Sequence, residues 1–323
     1  MPAPLGGAGV ARVCVIGSTN LDFTVPVPRL PQPGETVSGG ALGISAGGKG
    51  ANQAVAARRL GAEVRFITLV GADLMGDRLV ATLSGDGLTE GILRTAEAAT
   101  GVALIVVDPA GRNQIAVAPG ANHALTVERA ARHAGALAWA DVVLLQLETP
   151  IETVRWALRE ARRLGKRTVL NPAPARVLPL PPDLLGLADY VTPNETEAGL
   201  LTGREVRDVA DAEAAGRALV AAGVGAAVVT LGPVGAVLVR PAGCIHVPAF
   251  DVSPVDTVGA GDAFNGALAT LLAAGARVED ALVVANAAGG LTCTRRGAVE
   301  ALPMREAVEA LLRREGRWPG VAW

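Results

Sequence analysis

The sequence predicts an α/β fold: a mostly parallel central sheet covered by helices on both faces, with a small β lid. Three observations lead there. Short β-branched runs alternate with Ala/Leu-rich, proline-free segments of helical length, the pattern of repeated strand–helix crossovers. Clusters of Asn, Asp, Glu and Gly close several of the apolar runs, at the strand ends where such sheets carry ligands. Residues 23–45, by contrast, are broken by proline and glycine, and 108–113 form a polar turn between two apolar runs. Both suit a flap set apart from the main sheet.

Composition bounds the rest. At 323 residues the chain can bury a large core. Half of it is apolar, yet no run reaches the roughly 20 apolar residues of a membrane-spanning helix. Residues 1–10 lack the basic and long apolar regions of a secretory signal and read as a flexible tail. A net charge of -2 with mixed signs offers no basic field for nucleic acid and no membrane-seeking face. Cys14, Cys244 and Cys293 are odd in number and set in apolar surroundings, as core residues in a reducing, cytoplasmic compartment would be. Of 29 basic residues only Lys49 and Lys166 are lysine. Lys166 follows an arginine pair and reads as a solvated helix end. Lys49 sits among glycines, where a compact point charge is wanted.

In chain order, 11–16 is a buried strand closed by a polar turn carrying Asn20 and Asp22. Strand 64–70 and helix 77–83 follow, then strands 102–107 and 114–118 joined as a hairpin, which with 23–45 makes the lid. Next come helix 127–138, strand 142–147, helix 151–164, strand 168–170, strand 190–191 and helix 210–222. Strand 226–230 pairs with 236–239, an apolar strand covers 244–250, and 263–312 is mainly helical. Residues 315–323 hold Gly and Pro and read as a loose end.

The segment around which the chain is organised is Asp256-Thr257-Val258-Gly259-Ala260-Gly261-Asp262-Ala263-Phe264. It reads as a glycine loop opening a helix. Gly259, Ala260 and Gly261 let a ligand approach their amides, and the helix start favours an anion. Asp262 in the first turn is either a simple helix-starting carboxylate or a base beside a phosphate site.

A second glycine segment, Gly47-Gly48-Lys49-Gly50-Ala51-Asn52-Gln53-Ala54, nearly matches the phosphate loop of nucleotide hydrolases. Gly50 stands where the magnesium-binding hydroxyl is required, and no good strand runs into the segment. Both points argue against that loop. A helix over 51–60 places Lys49 and Asn52 at its start, suited to a polyhydroxylated or phosphorylated ligand. A dinucleotide fold is excluded because Gly17-Ser18-Thr19-Asn20 after the first strand lacks the glycine fingerprint. Further strand ends carry Gln146-Leu147-Glu148, Asn171-Pro172-Ala173-Pro174, Thr192-Pro193-Asn194-Glu195-Thr196-Glu197 and Thr230-Leu231-Gly232-Pro233-Val234-Gly235. The Asn194/Glu197 pair fits a capping box or water-mediated magnesium handling.

These segments, in this order and spacing over about 13–312, resemble the ribokinase-like (pfkB-type) carbohydrate kinases. The resemblance implies a three-layer α/β/α sandwich forming one kinase domain over 11–314, with its lid from about 20–46 and 99–121. It also implies ATP-dependent phosphorylation of a sugar's primary hydroxyl, D-ribose being the expected sugar. Asp262 would be the general base, with the amides of Gly259, Ala260, Gly261 and Asp262 as the anion hole. Asn20, Asp22, Gly48, Lys49, Gly50, Asn52 and Glu148 would bind the sugar. Asn194, Thr230, Leu231, Gly232, Pro233, Val234, Gly235 and Gly261 would flank the ATP phosphates and ribose, and Asn286 the adenine. Glu197 would shape the water shell of Mg²⁺. A K⁺ ion would sit on the Asp256 carboxylate and the carbonyls of Val258, Thr292, Arg295 and Gly297. Ala301 falls where members of the family can offer a serine hydroxyl, leaving the cation site one ligand short. The lid would pair two subunits into a homodimer.

The residues also bear on the choice of substrate. Asn20 and Asp22 can pair adjacent hydroxyls, which favours ribose over deoxyribose. Ala41, Ile44, Ala46, Val102, Ala103 and Ile115 give an aliphatic lid with no ring to stack a nucleoside base. Kinases of the same fold acting on fructose, 2-keto-3-deoxygluconate, deoxyribose or a nucleoside are the alternatives. A non-catalytic sugar-binding protein on this scaffold is a third, and the intact Asp262 and glycines weigh against it.

Overall fold

A computed structural model describes residues 10–174, 180–181 and 183–323; the expected tail at 1–10 lies almost wholly outside these residues. The chain opens on β1 (Arg12–Ile16), lid strands β2 (Asn20–Pro26) and β3 (Gly43–Gly47), and helix α1 (Lys49–Arg59). β4 (Glu63–Gly71), α2 (Leu74–Gly85) and β5 (Ile92–Thr95) follow, then lid strands β6 (Gly101–Val107) and β7 (Asn113–Ala118). The middle holds α3 (Val127–Ala131), α4 (Ala134–Trp139), β8 (Val142–Leu145), α5 (Ile151–Arg163), β9 (Arg167–Leu170) and β10 (Tyr190–Val191). The rest comprises α6 (Glu195–Thr202), α7 (Val209–Ala221), β11 (Ala226–Thr230), β12 (Gly235–Arg240), β13 (Gly243–Pro248), α8 (Ala260–Ala273), α9 (Val278–Cys293) and α10 (Arg305–Arg314).

Nine strands form one sheet in the order β13-β12-β11-β10-β9-β8-β1-β4-β5. All neighbours from β11 to β5 run parallel, and β12 and β13 close one edge antiparallel. Alternation along β1 shows why both faces are covered. Val13 and Val15 enter one core with α1, α8, α9 and α10, while Cys14 and Ile16 enter the other with α5 and α7. No helix among the described residues is long and apolar enough to cross a membrane. The lid is a second sheet, β3-β2-β6-β7.

Several expectations are corrected. Asn20 and Asp22 lie on strand β2 rather than in a turn. β3 runs straight into α1, against the expectation that no strand does so, but it belongs to the lid sheet. The single helix expected over 127–138 is two, broken where His133 N–H bonds Ala130 O in a tight turn. β5 was not anticipated. Cys244 and Cys293 are half-buried, and only Cys14 is fully interior.

The end of the chain is packed. Trp323 is 8% exposed and stacks near Trp318, with ring centroids 5.2 Å apart. Arg305 lies over Trp323 and Arg313 over Trp318. Arg317 donates to Pro248 O (2.6 Å) and Ala249 O (2.8 Å) and lies over Phe250. Cation–π contacts and apolar burial offset the helix-breaking effect of Gly316, Pro319 and Gly320. Trp323→Ala is therefore expected to destabilise the fold by about 3 kcal/mol, the lower end for a buried aromatic. An unchanged urea midpoint would show that the segment contributes nothing.

Candidate active site

The strand ends and two helix starts converge on a cavity of about 200 Å³. Lys49, Asn171, Thr192, Asn194, Glu197, Thr230, Thr257, Gly259, Gly261, Asp262 and Asn265 line it with Ala173. Gly259 caps α8 with φ +78°, a left-handed conformation that glycine adopts without strain, so the chain turns sharply and α8 begins at Ala260. Asp262 is 6% exposed in the first turn of that helix, near unpaired amides and the positive end of the dipole.

Both Asp262 oxygens are held from α1. Asn52 Nδ2 donates to Oδ2 (2.8 Å) and Gln53 Nε2 to Oδ1 (2.9 Å). The two helices approach this closely because α8 presents Gly266 to α1. A Cβ at Gly266 would lie 2.6 Å from Ala56 Cβ and 2.8 Å from Gln53 O. Gln53 is fully buried, donates also to Asn171 Oδ1 (3.1 Å) and accepts from Gln146 Nε2 (2.6 Å). Asn171 Nδ2 reaches Thr192 O, Thr192 Oγ1 donates to Asn265 Oδ1, and Asn265 Nδ2 returns to Gly261 O. This chain of amides locks the carboxylate to the ends of β8, β9 and β10.

A second cluster forms the root of the lid. Glu148 Oε2 accepts from Ser18 Oγ (2.5 Å) and from Lys49 N (3.0 Å), placing a carboxylate at the start of α1. Gly48 caps that helix, and Gly50 N is taken up by Ser18 Oγ (3.3 Å). Asn122 Nδ2 donates to Asn20 Oδ1 (2.7 Å), which leaves the Asn20 amide protons as donors. Asp22 Oδ1 and Asn52 Oδ1 are buried acceptors without a partner among the described residues. An unpaired buried acceptor costs about 1–3 kcal/mol, so these two atoms suit the hydroxyls of a ligand.

Charge is dense here. Burial, then Glu148, Glu300 and Asp262, push the Asp22 carboxyl from 3.8 up to about 7. Burial also raises Glu197, against the Asn194 N–H bond and Lys49. For Lys49 burial works downward, but Asp262, Glu148 and Glu197 outweigh it and raise the amine above its ordinary value.

The structure thus brings Lys49, Asn194, Glu197, Thr230, Gly259, Gly261 and Asp262 to one cavity. Ala260 forms the first residue of α8 beside it. Asn20, Asp22, Gly48, Asn52 and Glu148 adjoin it at the lid root. Asn194 and Glu197 make the anticipated capping box, with the free face of Glu197 turned to the cavity. Leu231, Gly232, Pro233, Val234 and Gly235 form the turn between β11 and β12. Asn286 lies apart on α9, donating to Val247 O and Pro248 O. Asp256 accepts from Val258 N and Gly297 N, and Cys293 O accepts from Val255 N and Asp256 N, so residues 255–258 and 293–297 form paired loops. Sequence reasoning missed Gln53, Ser18 and Asn122. A glutamine inside the apolar run Ala51, Ala54, Val55 was an available signal for the first; Asn122 offered none.

Asp22 gives a pH dependence. Its folded-state value is raised, so the folded protein holds a proton that the unfolded chain releases between about pH 4 and about pH 7. The stability linked to that proton is complete below the ordinary aspartate value and lost as pH rises through about 7. Without ligand, Asp22→Asn should gain thermal stability over the wild type as pH rises from about 5 to about 8. Parallel melting curves across that range would place Asp22 in water.

The model of the pfkB family carbohydrate kinases matches residues 10–305. The ribokinase of Haemophilus influenzae is 39% identical over 293 residues, 90% of this chain and 95% of the relative. The deoxyribokinase of Salmonella typhi is 37% identical over 295 residues, covering 91% and 96%. The Arabidopsis thaliana ribokinase, solved in complex with ribose and ATP, matches with TM-score 0.88 at 30% identity, covering 94% of this chain and 99% of that one. With its two glycine segments, its lid and its strand-end cavity arranged in this way, the chain belongs to the pfkB family of carbohydrate kinases.

Proposed function

We propose that the chain is an ATP-dependent ribokinase that transfers the γ-phosphoryl group of ATP to the 5-hydroxyl of D-ribose. The observation that carries this reading is the placement of Asp262. It is a buried carboxylate in the first turn of α8, fixed by Asn52 and Gln53, in one cavity with Lys49. Relatives at 39% and 30% identity named ribokinase, one of them solved with ribose and ATP, support it.

In this reading Asp262 takes the proton of the sugar's primary hydroxyl as the oxygen attacks phosphorus, and ADP leaves. The amides of Gly259, Ala260, Gly261 and Asp262, with the helix dipole, hold the charge on the equatorial phosphate oxygens. Asp22 Oδ1 and Asn52 Oδ1 accept sugar hydroxyls, the Asn20 amide donates to one, and Lys49 neutralises charge between the two substrates. The four-stranded lid closes over the sugar and excludes water from the phosphoryl group. Thr230, Asn194 and the 231–235 turn flank the nucleotide, and Asn286 steadies the end of β13 beside it.

The donor sets fit the two implied ions. Glu197 is a hard carboxylate at the cavity wall, suited to the waters of Mg²⁺. The Asp256 carboxylate and the carbonyls of the paired loops are hard oxygens suited to K⁺, with Ala301 contributing none. When bound, the magnesium ion supplies positive charge to the β- and γ-phosphates. Leu104, Ile115 and Val117 are exposed apolar residues on the lid strands, which supports a homodimer formed through the lid. The three cysteines are unpaired, as in a cytoplasmic protein.

Deoxyribose is the second reading, favoured by the deoxyribokinase relative. Asn20 argues against it, because a sugar lacking the 2-hydroxyl strands a buried donor. Coupled ADP release should therefore favour D-ribose over 2-deoxyribose by at least about tenfold in kcat/KM. Equal rates would return the assignment to deoxyribose. Asp262→Asn should bind both substrates but turn over about 10²–10⁴-fold more slowly. Near-normal turnover in that variant would assign the proton to another acceptor.

A further inference from the structure

A cavity larger than the candidate catalytic one lies elsewhere in the fold. A cleft of about 380 Å³ opens at the N-terminal edge of the sheet, lined by Arg162, Lys166, Arg167, Leu187, Asp189 and the glycines around them. It lies where β9, β10 and β11 begin, whereas Asn171, Thr192 and Thr230 at the far ends of those strands line the catalytic cavity. The two sites therefore occupy opposite ends of the same three strands. The chain's two lysines divide between them, Lys49 in one and Lys166 in the other. Lys166 is half-buried there rather than a fully solvated helix end.

The charge of this cleft is uncompensated. On α5, Arg155, Arg159 and Arg163 each pair with a carboxylate. Arg162, on the same helix, donates only to Gly186 O (3.2 Å), and Arg167 donates to Leu272 O (2.9 Å). Among the described residues neither they nor Lys166 has an acidic partner. The one carboxylate in the lining, Asp189, is engaged, with Oδ2 accepting from Thr168 N (2.8 Å) and Thr168 Oγ1 (3.0 Å). Three cations against one occupied carboxylate leave a net positive cleft, walled by Gly165, Gly186, Gly223 and Gly225, whose lack of side chains gives a ligand room.

We propose that this cleft is a second binding site, distinct from the catalytic cavity, for a small phosphate-bearing oxyanion of two or more negative charges. Arg162 and Arg167 offer guanidinium donors suited to phosphate oxygens, and Lys166 a point charge. The cleft has room for a diphosphate or a pentose phosphate.

Calorimetric titration of pyrophosphate into the full chain tests this. A binding event should persist in Lys49→Ala and weaken at least about tenfold in Arg162→Ala/Lys166→Ala, the worth of one charge-assisted hydrogen bond. Asp189→Asn should strengthen it. Should the double variant fail to show a native melting transition, Lys166→Gln alone gives the same comparison. Parallel titrations with inorganic phosphate and ribose 5-phosphate distinguish the source of the phosphate. Absence of binding by all three anions would overturn the proposal. So would binding that Lys49→Ala abolishes and the double variant retains.

Discussion

The structure depends on how the buried carboxyl group of Asp262 is held. Removing a carboxylate from water costs several kcal/mol. Two amide donors at about 1.5–3 kcal/mol each, together with the start of α8, are of the size needed to offset this. Those donors exist only because α1 and α8 cross closely, and they cross closely because Gly266 removes the side chain that would keep them apart. The register of α1 is in turn set by Glu148, which binds the first amide of that helix and the Ser18 hydroxyl. Thus two helix starts and three strand ends are fixed relative to one carboxylate. A small displacement of either helix would break both amide contacts together.

Much of the fold was legible because burial on both faces leaves an unmistakable imprint. β1 from Val13, β8, and β11 up to Val229 are continuous apolar runs, and these read directly as strands of a sheet covered on both faces. The lid strands β2 and β3 escaped recognition as strands for a physical reason. Asn20, Asp22 and Gly47 are poor strand formers, and it is pairing between β2 and β3 and of β2 with β6 that holds them in a sheet. β5 is a four-residue edge strand with mixed polarity, too short to carry a period. The final segment misled through Gly316, Pro319 and Gly320, since turn residues say nothing of where a tryptophan beyond them docks.

The candidate site was legible in part for a related reason. Glycine loops at helix starts and carboxylates at strand ends announce themselves by residue type, and these supplied Lys49, Asn194, Glu197 and Asp262. The supporting amides do not. Gln53 and Asn122 act through contacts spanning more than a hundred residues, and only three-dimensional structure shows that Asn122 takes the Asn20 carbonyl or that Gln53 takes Asp262. Sequence thus identifies groups that line the cavity more readily than groups that hold them in place.

The distribution of charge explains the division of labour within the proposed mechanism. Asp22, Glu148, Glu197, Glu300 and Asp262 interact with one another or with a single lysine, and burial makes each repulsion stronger than it would be in water. Such a cluster suits hydroxyl donors and opposes a polyphosphate. In the proposed mechanism the two substrates would therefore be received by different surfaces, the sugar by the carboxylates at the lid root and the nucleotide by the amides of α8 and the glycine turn after β11. Lys49, at the junction, is the only cationic side chain among the described residues that line the cavity. One lysine cannot balance both the acids and a triphosphate. In the proposed mechanism a divalent cation arriving with the nucleotide would supply the charge that this lining lacks, which would tie phosphate binding to the metal while leaving sugar binding to the protein alone.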